Sequence, residues 1–210
     1  MERLLIHRWQ NLCEGFSLPE PVGNETFQRL KTHYDEKHRA YHNLHHIQDL
    51  FKKMDRDREL LQQPLRVALA IWFHDIIYKP YKSNNEVASA ELFQKWMTPH
   101  LSDNSLVDQV SAYIVSTAKH IPELDHKDLT WFLDADLSIL GAHQTRYLQY
   151  TKEIRKEYSL YPSFMYNRGR KAILKSMLAR KNLFYTDLFQ DRYEARAREN
   201  IRMEIKMLGD

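Results

Sequence analysis

Apolar positions recur at helical spacing along almost the whole 210-residue chain, and nowhere do they alternate persistently enough to predict a strand. Residues 2–14 set Leu4, Leu5, Trp9 and Leu12 on one face of a short amphipathic helix. From Ser17 to Gly23 the chain holds two prolines and a glycine, which predicts a loop. Asn24 then caps a helix over about 25–37, and Asn43 caps another whose inward stripe is Ile47, Leu50, Phe51 and Met54. Pro64 suits the first turn of the next helix, which is apolar on every side through Ile71 and so belongs at the centre of the fold. That helix must end before Pro80, because the residue preceding a proline avoids the helical region. Ser83-Asn84-Asn85-Glu86 has the spacing of a capping box and opens a helix to about Met97. Further helices are predicted over 105–119, 125–140, 144–158, 163–180 and 191–208. The predicted class is all-α.

Composition changes this picture little. Scarce glycine and plentiful Leu, Glu, Lys, Arg and Ala favour helices, and the length suits one domain burying about two thirds of its unfolded surface. With 31 basic and 28 acidic residues the net charge is only +3, too balanced to argue for nucleic acid and compatible with an anionic small molecule. A single cysteine, Cys13, forbids an intrachain disulfide and agrees with a reducing compartment. The first residues alternate charge with Leu and Trp and read as neither signal peptide nor membrane span. The expectation is a soluble, cytoplasmic protein with no membrane partner; no oligomeric state follows.

The chemistry gathers where ionisable groups fall on apolar faces. The central helix runs into Trp72-Phe73-His74-Asp75-Ile76-Ile77-Tyr78, and a buried carboxylate such as Asp75 needs a cation, strong donors or a proton. Asp136 falls on a stripe with Leu129, Phe132, Leu133 and Leu140 and is expected to face the core, whereas Asp134 aligns with Lys127, Thr130 and Ser138 on the polar side. In the 39–47 cluster His42 and His46 lie one turn apart beside the apolar stripe, while His45 aligns with Asp49 and Lys52 toward water. His120 ends the inward row Leu106, Val110, Tyr113, Thr117. Taken singly, each of these residues has an ordinary core or capping role, and the capping box accounts for Glu86. Taken together, His42, His74, Asp75 and Asp136 supply two imidazoles and two carboxylates. Such a set suits Mn, Fe, Co, Ni or Zn, and Mg less well because Mg prefers oxygen.

The order His, His-Asp, Asp resembles the HD superfamily of metal-dependent phosphohydrolases. The strings YHNLHHI, WFHDIIY, NNEVASAELF and FLDADLSILG are similar to its small bacterial branch of predicted phosphohydrolases, as are Tyr166-Asn167-Arg168-Gly169-Arg170 and the region from Glu194 to Asn200. This resemblance covers most of the chain. It implies one HD-type helical bundle over 1–210, with a core of about 25–141 and a helical extension of about 142–210. It implies metal ligation by His42, His74, Asp75 and Asp136. Asn85 stands where two-metal relatives often carry histidine, which favours a single ion, and His120 matches another extra histidine, placed near substrate. The implied activity is hydrolysis of a small phosphate ester, possibly a nucleotide, by a metal-activated water, with Asp75 and His120 catalytic. Arg39, His46, Lys79, Arg168 and Arg170 are the expected phosphate contacts. The alternatives are a di-iron oxygenase of the same superfamily and a catalytically silent ligand-binding module.

Overall fold

The computed structural model describes residues 1–101 and 103–209, and among them there is no strand, so the protein is all-α. Its helices are α1 Glu2–Gly15, α2 Glu20–Tyr34, α3 Leu44–Arg56, α4 Pro64–Phe73, α5 Asn85–Met97, α6 Asn104–Ser116, α7 Lys127–Leu137, α8 Gln144–Glu157 and α9 Ser163–Leu178. A one-turn α10, Asp187–Phe189, passes through a π turn, Gln190–Glu194, into α11, Ala195–Met207. The chain divides into two compact units, Met1–Phe132 and Leu133–Asp210, with the boundary inside α7. Among the described residues no helix is long and apolar enough to cross a membrane.

In the first unit α4 is the central element, as its all-round apolar pattern predicts. Every residue from Val67 to Phe73 is buried. Trp72 packs edge-on against Trp9 at 5.6 Å and Phe27 at 6.0 Å and lies 5.3 Å from Phe51, while Phe73 meets Phe93 at 5.1 Å. Both ends of the helix are held from distant sequence. The Asp128 carboxylate accepts the N–H groups of Gln62 (2.9 Å) and Gln63 (2.6 Å), satisfying and neutralising the start of α4. At the other end the Tyr34 hydroxyl donates to the Trp72 carbonyl at 2.9 Å.

Two predicted caps are replaced by other arrangements. The segment expected as a loop through Gly23 is already helical from Glu20, so Asn24 caps nothing. Pro21 costs α2 no hydrogen bond because it stands in the first turn, where the N–H has no intrahelical acceptor. The Gly23 carbonyl accepts from Trp9 Nε1 at 2.7 Å, and a Cβ on Gly23 would stand 3.0 Å from Cys13 Sγ. The capping box before α5 is not made: Asn84 takes the N-cap position without a side-chain bond. Asn85 instead accepts from the Lys79 N–H at 3.0 Å and donates to the Lys79 carbonyl at 3.1 Å. One turn on, Ser89 Oγ accepts from Ile77 N at 3.0 Å. These bonds fasten α5 to the chain that follows the His74-Asp75 doublet. The Asn43 cap is made as predicted, its side chain accepting from His45 N at 2.8 Å.

In the second unit α11 closes the turn after α7. Asn200 Nδ2 donates to the Leu140 and Ala142 carbonyls at 2.8 and 2.9 Å, and Arg196 Nε donates to Gly141 O at 3.0 Å. The Glu194 carboxylate accepts from the Leu183 N–H at 2.9 Å and the Phe184 N–H at 3.2 Å.

Candidate metal centre

The α4 helix stops at Phe73, so the doublet sits in the turn just beyond it, where His74 N still bonds the Ala70 carbonyl at 2.9 Å. His74 Nδ1 lies 3.0 Å from the Ile71 carbonyl, which can only accept; this nitrogen therefore carries the proton of a neutral ring, and Nε2 presents a lone pair. That lone pair faces Asp75 Oδ2 at 3.0 Å and His46 Nε2 at 3.2 Å, and His46 Nε2 is 3.7 Å from the same carboxylate oxygen. An imidazole lone pair against a carboxylate oxygen at van der Waals distance is repulsive unless a cation or a proton lies between them. Neighbouring ligands on one ion with bonds of about 2.1 Å are separated by about 3.0 to 3.4 Å, so the two distances to His74 fit a shared transition-metal ion directly and the 3.7 Å one fits with a wider ligand angle. A proton on His74 Nε2 is the other solution: burial resists ionisation of Asp75, but the charges of His74, His42 and His46 and the His74 hydrogen bond then hold its carboxyl well below the usual range.

His46 lies nearer the doublet than the sequence indicated. It lies on α3 beneath the Asn43 cap, is buried, and reaches the doublet directly, whereas a phosphate contact was expected of it. Its one signal was the one-turn spacing from His42 on the inward stripe. His42 precedes α3 and stands beside this set: its ring stacks on Tyr78 at 4.1 Å and meets His46 at 6.0 Å. His45 is exposed, as its alignment predicts.

Arg39, expected to contact phosphate, is placed otherwise. Its side chain has no exposure, and its guanidinium donates to the carbonyls of His42 (3.1 Å), Asp75 (2.6 Å) and Ile76 (2.8 Å) while Nε bonds Glu36 at 3.0 Å. The rings of Tyr34 and Tyr78 flank it at 5.2 and 5.7 Å. It is a strut tying the His42 loop to the doublet turn, out of reach of a ligand. His38 adds a second tie, its Nε2 lying 2.8 Å from the Tyr78 carbonyl. Lys79 is half-buried just past the doublet and remains the cation nearest it in sequence.

Two further groups share the electrostatic surroundings of Asp75. His120 follows α6 with φ +47°, a left-handed backbone that costs a non-glycine residue about 1–3 kcal/mol. Glu86, freed from the expected capping box, is half-buried. Its carboxyl is pushed upward by burial and by the charge of Asp75, against the opposing influence of His120 and His74, which brings all four into one electrostatic neighbourhood.

In the second unit Asp134 departs from its expected place on the polar side of α7. Asp134 is fully buried and accepts from Tyr185 N (2.7 Å), Thr186 N (2.8 Å) and Thr186 Oγ (2.7 Å). Burial outweighs these donors and pushes its carboxyl up to about 6. Asp136 is half-buried. The helix has no polar side from which to judge, since Leu129, Trp131, Phe132, Leu133, Ala135 and Leu137 are all buried. Arg170, expected at phosphate, is paired with Glu204 by bonds of 2.8 and 3.1 Å, and Arg168 is exposed on α9. No family model, curated protein or solved structure matches the chain.

Proposed function

We propose that the protein is a metal-dependent phosphohydrolase acting on a small phosphate ester. The observation that carries this reading is the convergence of His46 Nε2, His74 Nε2 and Asp75 Oδ2 within 3.0–3.7 Å, with the His74 tautomer set by the Ile71 carbonyl. Two imidazoles and a carboxylate favour one ion of Mn, Fe, Co, Ni or Zn over Mg. His42, beside His46, and Asp136, given by the sequence reading, are the further ligands of this reading. When bound, such an ion lowers the pKa of a water and draws charge from phosphoryl oxygens.

The chain's own groups do the rest. Both imidazoles face Oδ2 of Asp75, which leaves Oδ1 to orient the attacking water and accept its proton. His120 and Lys79 carry donors for the phosphoryl oxygens, and the strut through Arg39 keeps the His42 loop and the doublet turn in register. Asn85, with its amide engaged by Lys79 and Lys82, is not available as a ligand for a second ion.

The test is reconstitution of chelator-treated protein with each metal, read as bound metal and as phosphate release from a panel of esters and nucleotides. His46→Gln is expected to lose metal and turnover, and His45→Gln to keep both. Equal metal retention by the two variants, or release that no metal supports, would overturn the reading.

A further inference from the structure

The chain has five glycines, and Gly169 is the one for which the fold supplies no reason. A Cβ on Gly15 would stand 3.2 Å from Leu65, on Gly23 3.0 Å from Cys13 and on Gly141 2.6 Å from Tyr193, while Gly209 has φ +77°. Gly169 lies inside α9, where glycine is the least favourable residue after proline, and a Cβ there would meet nothing within 4 Å. The open space belongs to a cavity of about 280 Å³ at the α8–α9 corner of the second unit.

Three tyrosines, Met165, Arg170 and Ile173 line that cavity beside Gly169. Tyr158 lies 5.9 Å from Tyr161 and 5.9 Å from Tyr166, the ring planes inclined by 38° and 50°, so the three present tilted aromatic faces. The corner is braced from behind. Arg155 donates to the carbonyls of Tyr158 (2.7 Å) and Tyr161 (3.0 Å), with its guanidinium 4.8 Å from the Tyr166 ring. Arg170 Nε and Nη2 are held by Glu204 and the Tyr150 hydroxyl, and Nη1 has no partner among the described residues. From Gln144 to Leu178 the chain carries eight Lys and Arg against two Glu, so an anion entering here meets a positive field.

We infer that this corner is a second ligand site, independent of the proposed metal centre, and that it takes a small planar aromatic ring bearing one anionic group. The ring stacks among the tyrosines over the bare backbone at Gly169, where a side chain would stand in its way. The anion accepts from Arg170 Nη1. The volume, at the small end of ligand clefts, admits one ring system and little more.

Titration calorimetry on the full-length, chelator-treated protein tests this with two probes, AMP and 1-naphthoate, which separate a phosphate source of the anion from a carboxylate source. Binding of at least one below about 1 mM is expected, weakened about tenfold or more by Gly169→Leu and by Tyr161→Leu. Gly169→Leu should melt no lower than the parent, because leucine is the better helix former, so its loss of binding cannot be ascribed to unfolding. Absence of binding by both probes overturns the inference. So does binding that both variants leave unchanged, or adenosine binding as tightly as AMP. Concentration-dependent dimerisation that Gly169→Leu abolishes would assign the open face to a second copy of the chain and overturn it equally.

Discussion

Replacing Arg39 by methionine removes the strut while keeping an apolar stem in its place. The perturbation leaves the carbonyls of His42, Asp75 and Ile76 without their donor and the Glu36 carboxylate without its partner. Hydrogen bonds from a charged donor contribute about 1.5–3 kcal/mol each, and orphaning a buried ionic partner costs about 3–5 kcal/mol in total. Water can reach the half-buried Asp75 and Glu36, so the lower part of that range applies, about 3–4 kcal/mol. For a chain of this size that is a fall in Tm of about 10 °C. Arg39→Lys, with a point charge that cannot bridge three carbonyls, should lose about half as much. All four tryptophans, Trp9, Trp72, Trp96 and Trp131, lie within Met1–Phe132, so urea unfolding followed by tryptophan fluorescence reports on the affected unit. A loss below about 1 kcal/mol in the methionine variant would refute the strut. An Arg39→Lys variant of unchanged stability and metal content but much weakened substrate affinity would restore the phosphate contact that the sequence led one to expect.

The α7 aspartates should separate by phenotype: Asp134→Ala should destabilise the second unit by about 2–4 kcal/mol, orphaning two backbone N–H groups, whereas Asp136→Ala should lower bound metal. Circular dichroism with metal analysis distinguishes them, and the reverse pattern would refute both assignments. Gly141→Ala would place a methyl 2.6 Å from Tyr193 Cβ and 2.7 Å from its carbonyl oxygen, and should cost at least about 2 kcal/mol in a urea titration followed by far-UV dichroism. Burial pushes the Cys13 thiol up to about 11, so the thiolate is disfavoured at neutral pH and alkylation by iodoacetamide should be slow at pH 8 and accelerate only toward that value. Rapid modification at pH 8 with the fold intact would contradict this.

Local periodicity was enough to place what depends on neighbours in sequence: the all-α class, the Asn43 cap, the exposure of His45 and the central burial of α4. It also singled out the doublet, because an imidazole and a carboxylate at the end of an apolar helix have no local means of solvation. What it could not reach are the bonds between residues far apart in the chain. Ser83 and Glu86 read as a capping box by spacing, yet the side-chain bonds at this helix start are those of Asn85 with Lys79 and Lys82 across the loop. Arg39 reads as a free cation, yet folding brings it the carbonyls of residues 75 and 76. Asp134 reads as solvated, yet residues 185 and 186, distant in the sequence of the same unit, supply its donors. In each case the side chain's local propensity is worth a few tenths to one kcal/mol, while satisfying a buried charge or carbonyl is worth several. Only the tertiary structure decides which partner is present to satisfy it.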